Sequence, residues 1–302
     1  MSLSLLHILM MALGVGMMVA LILFGTQLQS RLYKDSEGID AVVGAKGSPL
    51  QLILSSVQHM DIPTGNIPLS EARRIQQHSK VKRAIPVSLG DSFRQFRIVG
   101  TVPDYLQLYD AELAMGDMWY DSMQAVIGAQ VASESGLKVG DYFVGNHGLV
   151  EGGHVHDEHP YLVTGILKPT GHVIDRLAIT SLESVWDIHE EPYHHDEHAH
   201  DEHDEHDHHH EHDHAGDDSR EVTALLVQYR TRTAALTFPR EVNSNTMMQA
   251  ASPAFEMARL VDLIGLGTDT LMTIGGILVS VSLAGVLIAL FNAVRERRYD
   301  LA

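Results

Sequence analysis

Residues 194–214 read HHDEHAHDEHDEHDHHHEHDH: eleven histidines, nine acidic residues and Ala199. Imidazole nitrogen is a ligand for Zn²⁺, Ni²⁺ and Cu²⁺. His194, His195, His198, His200, His203, His206, His208, His209, His210, His212 and His214 recur one to three residues apart. A flexible chain with that spacing wraps many alternative ligand sets around one ion. The interleaved carboxylates add ligands or orient imidazoles. They also raise histidine basicity, so affinity falls below about pH 6.5. The segment is expected to hold zinc or another transition metal loosely, with exchange between sites and no tightly bound cofactor. Catalytic geometry needs fixed ligands and an open position, which this spacing does not provide. Ligand type alone does not select the ion, because the affinity order favours copper over zinc and availability decides. The alternative is a solvated, low-complexity loop that tolerates histidine.

A second cluster comprises His147, His154, His156 and His159, with Glu151, Asp157 and Glu158 between them and Gly152-Gly153 marking a hairpin tip or loop. His154 and His156 are two apart, which on a strand places both rings on one face. Either a defined metal site or a solvated loop fits this pattern. His7, His59, His78, His172 and His189 stand alone and are expected to be structural or exposed.

The elements that position these clusters begin at the two ends of the chain. No Asp, Glu, Lys or Arg occurs from Met1 to Ser30. About 20 apolar residues rising ~1.5 Å each cross a ~30 Å hydrocarbon layer, so Leu3–Gly25 is long enough. It exceeds the usual signal-peptide core of ~7–15 residues and lacks a positive leading segment, which favours a retained helix. Thr270–Asn292 is a second charge-free span, followed at once by Arg295, Arg297 and Arg298. The positive-inside rule puts that end in the cytoplasm, and two spans then put Met1 there too. Arg31 and Lys34 argue the other way, but the later cluster is denser. Gly14, Gly16, Gly275, Gly276, Ala284 and Gly285 offer small faces for close helix approach.

The 302-residue chain is 45% apolar and carries a formal charge of −18. The histidine-rich run supplies nine of those negative charges, and Glu190, Glu191, Asp217 and Asp218 flank it. No Lys/Arg face stands out, so nucleic acid is not an expected partner. Cysteine is absent, which excludes disulfides, thiolate metal sites and a cysteine nucleophile.

Between the spans, short strands alternate with helices. Asp40–Gly44 and Leu50–Val57 are β-capable or short-helical. Ser70 predicts a capped helix over Glu71–Gln77. Ala84–Leu89 and Phe96–Val102 predict strands joined by a turn at Gly90–Asp91. Ala125–Leu137 predicts a strand running into a helix that ends at Gly136. Lys138–Val144, Tyr161–Leu167 and Glu221–Tyr229 predict strands, and Thr246–Leu260 a helix leading into the second span. The fold class is α+β. Gly44-Ala45-Lys46-Gly47-Ser48 lacks phosphate-loop spacing and is expected to be a turn. No catalytic constellation emerges, so the chain is not expected to be an enzyme.

The segment Asn292-Ala293-Val294-Arg295-Glu296-Arg297-Arg298-Tyr299-Asp300 resembles the N-x-V-x-E-R-x-x-[DE] stretch that follows the second span in FtsX-like ABC transporter permeases of the MacB and LolCDE type. It matches at Asn292, Val294, Glu296, Arg297 and Asp300. Ile39–Val57, Asp61–Pro68 and Phe96–Tyr105 look like one branch of these permeases, which often carries histidine-rich insertions and is associated with zinc systems. The resemblance implies an α+β extracytoplasmic domain between two transmembrane helices: a MacB-like periplasmic core with an inserted smaller lobe. The expected divisions are a first transmembrane helix at 1–27, the first part of the core lobe at 28–120 and an inserted lobe at 121–219 with its His-rich loop at 190–218. The returning core lobe at 220–266, a second transmembrane helix at 268–293 and the start of a cytoplasmic coupling region at 294–302 complete the chain. Arg295, Glu296, Arg297 and Arg298 are the expected ATPase-coupling residues. The family carries four spans, so a chain truncated after the second is expected.

The resemblance further implies a bacterial inner-membrane permease subunit with its central domain in the periplasm. Its partners would be a cytoplasmic ABC ATPase subunit that hydrolyses ATP, a second permease copy and a periplasmic metal-binding protein. ATP-driven closure of the paired helices would be passed to the outer domain, with a link to zinc or other transition-metal handling. The rivals are extraction or efflux of a lipoprotein, peptide or drug with an incidental histidine loop, a transducer that activates a periplasmic partner, and a membrane-tethered metal buffer.

Overall fold

The computed structural model describes residues 2–147, 159–190 and 220–299. These divide into two compact units: an outer unit, Asp35–Glu256, and a unit made of the two chain ends, Met1–Lys34 with Met257–Ala302.

The chain ends form two long helices, α1 (Ser2–Asp35) and α8 (Pro253–Tyr299). Spans Ile8–Asp35 and Pro253–Phe291 each contain a stretch apolar and long enough to cross a membrane. Leu13, Phe24, Leu266 and Phe291 stand with most of their surface exposed, which suits lipid rather than water as the surrounding medium. At Gly14 a Cβ would lie 2.8 Å from Val279 Cγ2, and at Gly275 one would lie 3.1 Å from Met18 Cγ. These two glycines therefore sit at a close approach of the helices. Gly16 and Gly276 have nothing within 4 Å of such an atom.

The elements of the outer unit, in chain order, are β1 (Ala41–Ala45), α2 (Pro49–Ser56), β2 (Ile67–Pro68), α3 (Leu69–Gln76), β3 (Val81–Phe93), β4 (Phe96–Thr101), α4 (Asp104–Leu108), β5 (Leu113–Gly116), β6 (Gln124–Ile127) and α5 (Ala129–Ser135). There follow β7 (Tyr142–Phe143), β8 (Asn146–His147), β9 (Tyr161–Leu167), a 3₁₀ turn (Val173–Arg176), β10 (Leu177–Ser181), α6 (Leu182–Glu190), β11 (Glu221–Val222), β12 (Ala224–Tyr229), α7 (Ala234–Asn245) and β13 (Met248–Ala251). Among the described residues one sheet runs in the order β13-β1-β12-β3-β4-β10-β6-β9-β5, with β7 on β9 and β8 on β3. Its pairs are antiparallel except β4 with β10 and β6 with β9. The strands between 121 and 190 thus join the sheet begun by β1, β3 and β4.

Two apolar clusters flank the sheet. One packs Val43, Ile75, Trp186, Leu225, Phe238 and Val242, drawn from strands and from α3, α6 and α7. The other packs Ile98, Ile127, Val131, Phe143, Tyr161 and Val163 with α5. β1 is buried along nearly its whole length because it has a neighbour on each side and α2 against it, and a run of Ala-Val-Val without polar alternation fits that position.

The chain enters and leaves the outer unit through adjacent strands. Val42 pairs with Ala251 and Ala45 with Met248, antiparallel, so the start of β1 and the end of β13 lie at the same end of the sheet edge.

Four local expectations are corrected. Ser70 does not cap α3: the helix starts at Leu69, whose amide donates to Arg220 O at 2.8 Å, so the backbone just before β11 replaces the side-chain cap. Gly90–Asp91 is not a turn. β3 runs through it with a register shift between Leu89 and Ser92, and the turn falls at Arg94, whose φ is +54°; glycine relieves a bulge as readily as a hairpin. Lys138–Val144 contributes only Tyr142–Phe143 as strand, since Gly140 (φ +95°) breaks it. Thr246–Leu260 opens as β13, not helix. The partner strand β1 takes up its amides and carbonyls, and the helix begins at Pro253, where proline suits a first turn. Of the Gly44–Ser48 segment, Gly44 and Ala45 finish β1, Lys46–Gly47 bend the chain, and Ser48 Oγ caps α2 by accepting from Gln51 N at 3.4 Å.

Candidate functional site

The histidine run 194–214 lies outside the described residues, as do His154 and His156. α6 delivers the chain to that run and β11 receives it. His147 is the last residue of β8, opposite Asp91 of β3, and His159 is half-buried just before β9. Among the described residues no group of three or more His, Asp or Glu side chains is placed to hold a metal ion. Arg295, Glu296, Arg297 and Arg298 all fall within α8, and Arg295 is exposed.

The outer unit holds a polar cluster that none of these expectations covers. It starts at Asp35, where α1 ends. The Asp35 carboxylate accepts from Val173 N at 2.7 Å, capping the 3₁₀ turn that opens β10. His172 Nδ1 stands 3.8 Å from the same oxygen. The Tyr109 hydroxyl donates to the Asp35 carbonyl at 3.4 Å. Asp35 is 6% exposed, so these contacts replace water that the carboxylate has lost.

From Tyr109 the cluster continues inward. Tyr109 and Tyr105 meet edge to face with ring centroids 5.3 Å apart. They are four residues apart across α4 and its C-cap, so one helical turn aligns them. The Tyr105 hydroxyl is 2.9 Å from His59 Nε2. His59 terminates the α2 region with φ +54°. Burial, then the charges of Arg97 and Arg176, depress its pKa to about 3, so the imidazole is neutral at physiological pH. Burial raises the hydroxyls of Tyr105 and Tyr109 well above the ordinary phenol range, so both stay protonated. His59, Tyr105 and Tyr109 are therefore neutral hydrogen-bonding groups that keep one protonation state at physiological pH. That chain of three neutral groups positions and stiffens the segments that carry it.

The sequence carried one signal for this cluster, the Tyr105–Tyr109 pair at helical spacing beside Pro103. Asp35 and His172 gave none, because they meet across 137 residues of chain.

A sequence model described as the MacB-like periplasmic core domain matches residues 4–254. No curated protein matches the chain. Among solved structures, the periplasmic region of MacB from Actinobacillus actinomycetemcomitans aligns at 10% identity and TM-score 0.43, covering 74% of this chain and 94% of that one. The extracellular domain of the noncanonic ABC-type transporter YknZ from Gram-positive bacteria aligns at 10% identity and TM-score 0.41, covering 70% and 100%. A domain of a Porphyromonas gingivalis protein described as a permease aligns at 12% identity and TM-score 0.35, covering 72% and 89%.

Proposed function

The chain belongs to the family of the MacB-like periplasmic core domain, and from that premise we propose that it is a permease subunit of a MacB-like ABC transporter. ATP is hydrolysed by a separate cytoplasmic subunit, and the permease passes the resulting motion to its own outer domain. The observation that carries this reading is the family match over 4–254 together with two membrane-length apolar helices at the ends of the domain. Such a subunit needs no catalytic residues. It needs its outer domain to be held firmly by the chain segments that lead to the helices. The Asp35 contacts and the β1–β13 pairing meet that need at the first and second connection respectively. The basic end of α8, Arg295 to Arg298, supports an orientation with that end in the cytoplasm and supplies charge for an ATPase contact.

The test uses the absence of cysteine. A single Ser133→Cys on the exposed face of α5 carries a spin label without further substitution. Label-to-label distances between two copies, measured with the partner ATPase present, are expected to change when ATP is added with vanadate. Distances that ignore nucleotide in an assembled, hydrolysing complex would remove the reading.

We further propose that the complex handles zinc or another transition metal, with 194–214 as a loose collector that raises ion concentration near a partner. Eleven histidines in 21 residues support this. Zinc binding by His147, His154, His156 and His159 belongs to the same proposal. Deletion of residues 194–214 is expected to slow growth under zinc chelation while leaving antibiotic tolerance unchanged. Slower growth only under antibiotics would favour efflux with an incidental loop.

A further inference from the structure

A cavity of about 300 Å³ opens beside the inner end of the polar column, lined by Gln58, His59, Gln95, Arg97, Gln130 and Arg176 with three apolar neighbours. Its lining contains two guanidinium groups, an imidazole and three amides, and no carboxylate. The two arginines come from different elements, Arg97 from β4 and Arg176 from the 3₁₀ turn before β10. Those elements are fixed against each other, since Arg97 pairs with Leu177 in the parallel β4–β10 ladder.

Arg97 is 4% exposed. Its Nη2 donates to the backbone carbonyl of Asp61 at 2.7 Å, while its Nε is enclosed without a hydrogen-bond partner. Neither Arg97 nor Arg176 forms an ion pair with a described residue. Three carboxylates near the cavity are otherwise engaged, Glu134 by accepting from Gln95 Nε2 at 2.8 Å and Gln130 Nε2 at 2.7 Å. Asp61 Oδ1 accepts from Ile62 N at 2.7 Å. Asp175 accepts from the amides of Thr170 and Gly171 and the Thr170 hydroxyl. Burial lowers the Arg97 pKa and the charge of Asp61 offsets that only in part, and a buried guanidinium without an ion-pair partner is a costly arrangement that folds keep when something else supplies the charge. Arg176 is exposed, so one cation of the pair is reachable from solvent and the other is held in place within. The planar guanidinium fork matches the oxygens of carboxylate and phosphate. His59 Nδ1 is also enclosed and without a partner. The column from Asp35 fixes this ring through Tyr105.

We propose that this cavity binds the oxyanion group, phosphate or carboxylate, of a small solute, with Arg97 and Arg176 supplying the counter-charge. The volume sits at the lower end of small-molecule pockets, which fits a metabolite-sized anion and not a peptide segment. The proposal is independent of the transporter reading, since it uses only the outer domain's own side chains.

The full chain in a phosphate-free detergent serves for the test. Trp119 and Trp186 are the only tryptophans and both are buried in the outer unit, so their emission follows its unfolding alone. Inorganic phosphate and acetate are titrated separately at constant ionic strength against chloride. At least one is expected to raise the unfolding midpoint saturably, and the arm that responds identifies the oxyanion. Arg176→Gln, on the surface, is expected to fold normally and weaken the response roughly tenfold. Arg97→Met is expected to abolish the response while leaving the anion-free midpoint unchanged or higher, because it removes an unpaired buried charge; an arginine with a purely structural role would lower that midpoint. A midpoint that follows neither anion beyond chloride, or a saturable response that survives in both variants, overturns the proposal.

Discussion

Asp35 shows how one side chain can secure a chain entry point. Its carboxylate caps a turn more than a hundred residues away, and its carbonyl receives Tyr109. Asp35→Ala leaves the Val173 amide without its acceptor in a buried place, a loss of about 1–3 kcal/mol. The expected readout is a lower unfolding midpoint by tryptophan emission, and a smaller nucleotide-driven distance change in the spin-labelled complex. Asp35→Ala that destabilises the domain but keeps the full distance change would make the contact structural only. His59 gives a pH signature with a definite sign. Its folded pKa is depressed to about 3, below the ordinary ~6.5 of an unfolded histidine. Between those values the unfolded chain binds more protons than the folded one, so stability is fully present above about pH 6.5 and is lost as pH falls toward 3. The slope approaches ~1.4 kcal/mol per pH unit at most. Burial sets most of it, and the charges of Arg97 on β4 and Arg176 on the 3₁₀ turn add to it, while the Tyr105 hydroxyl on α4 faces the same ring. His59→Gln is expected to flatten the wild-type decline of the urea midpoint across pH 6 to 4. An unaltered decline would mean that the ring is not buried neutral.

At the scale of elements, the second connection depends on how β13 is held. β13 has β1 on one side, and Asn243 at the end of α7 reaches across to it. Asn243 Oδ1 accepts from Ala250 N at 2.6 Å, and its Nδ2 donates to Ala250 O at 3.3 Å. Asn243→Ala removes both bonds from an edge strand and is expected to cost about 1–2 kcal/mol. Amide exchange should accelerate first in Met248–Ala251, ahead of β12 or β3. Uniform acceleration across the sheet would show that β13 is not a locally opening unit. Within the apolar unit, Gly14 sits 2.8 Å from Val279 Cγ2 by its added Cβ. Gly14→Leu is therefore expected to push the helices apart, whereas Gly16→Leu, with nothing nearby, is not. Cysteine cross-linking between α1 and α8 distinguishes the two.

For the whole molecule, the basic end of α8 and the charge-free spans predict that residues between the helices lie outside the cytoplasm. A reporter inserted at Gly136, an exposed αL position closing α5, is expected to be active only when the reporter is one that works outside the cytosol. Cytosolic activity would reverse the orientation and the transporter reading with it. At this scale the four residues Arg295 to Arg298 are also constrained. Successive helical residues are ~100° apart, so they cannot all face one partner, and charge reversals taken singly should affect ATPase binding unequally.

The division between sequence and tertiary structure follows the range of the physics involved. Helix length and hydropathy are local sums, so Leu3–Gly25 and Thr270–Asn292 announced α1 and the membrane part of α8 from composition alone. Strands with strong β-branched character and glycine stops were equally legible: Tyr161–Leu167 matches β9, and Gly136 closes α5. The residues Asn292, Val294, Glu296, Arg297 and Asp300, at their spacing, carried the permease resemblance. Local signals misled where a neighbour decided the outcome. β13 is strand because β1 lies beside it, α3 is capped by Arg220 and not by Ser70, and β3 crosses Gly90–Asp91 because β4 and β8 hold both sides of the bulge. The oxyanion cavity and the Asp35 column were invisible for the same reason. His59, Arg97 and Arg176 are unremarkable singly in the text; the parallel β4–β10 pairing brings the two arginines together and the end of the α2 segment brings His59 beside them, because a charge acquires its chemistry from neighbours that chain order does not specify.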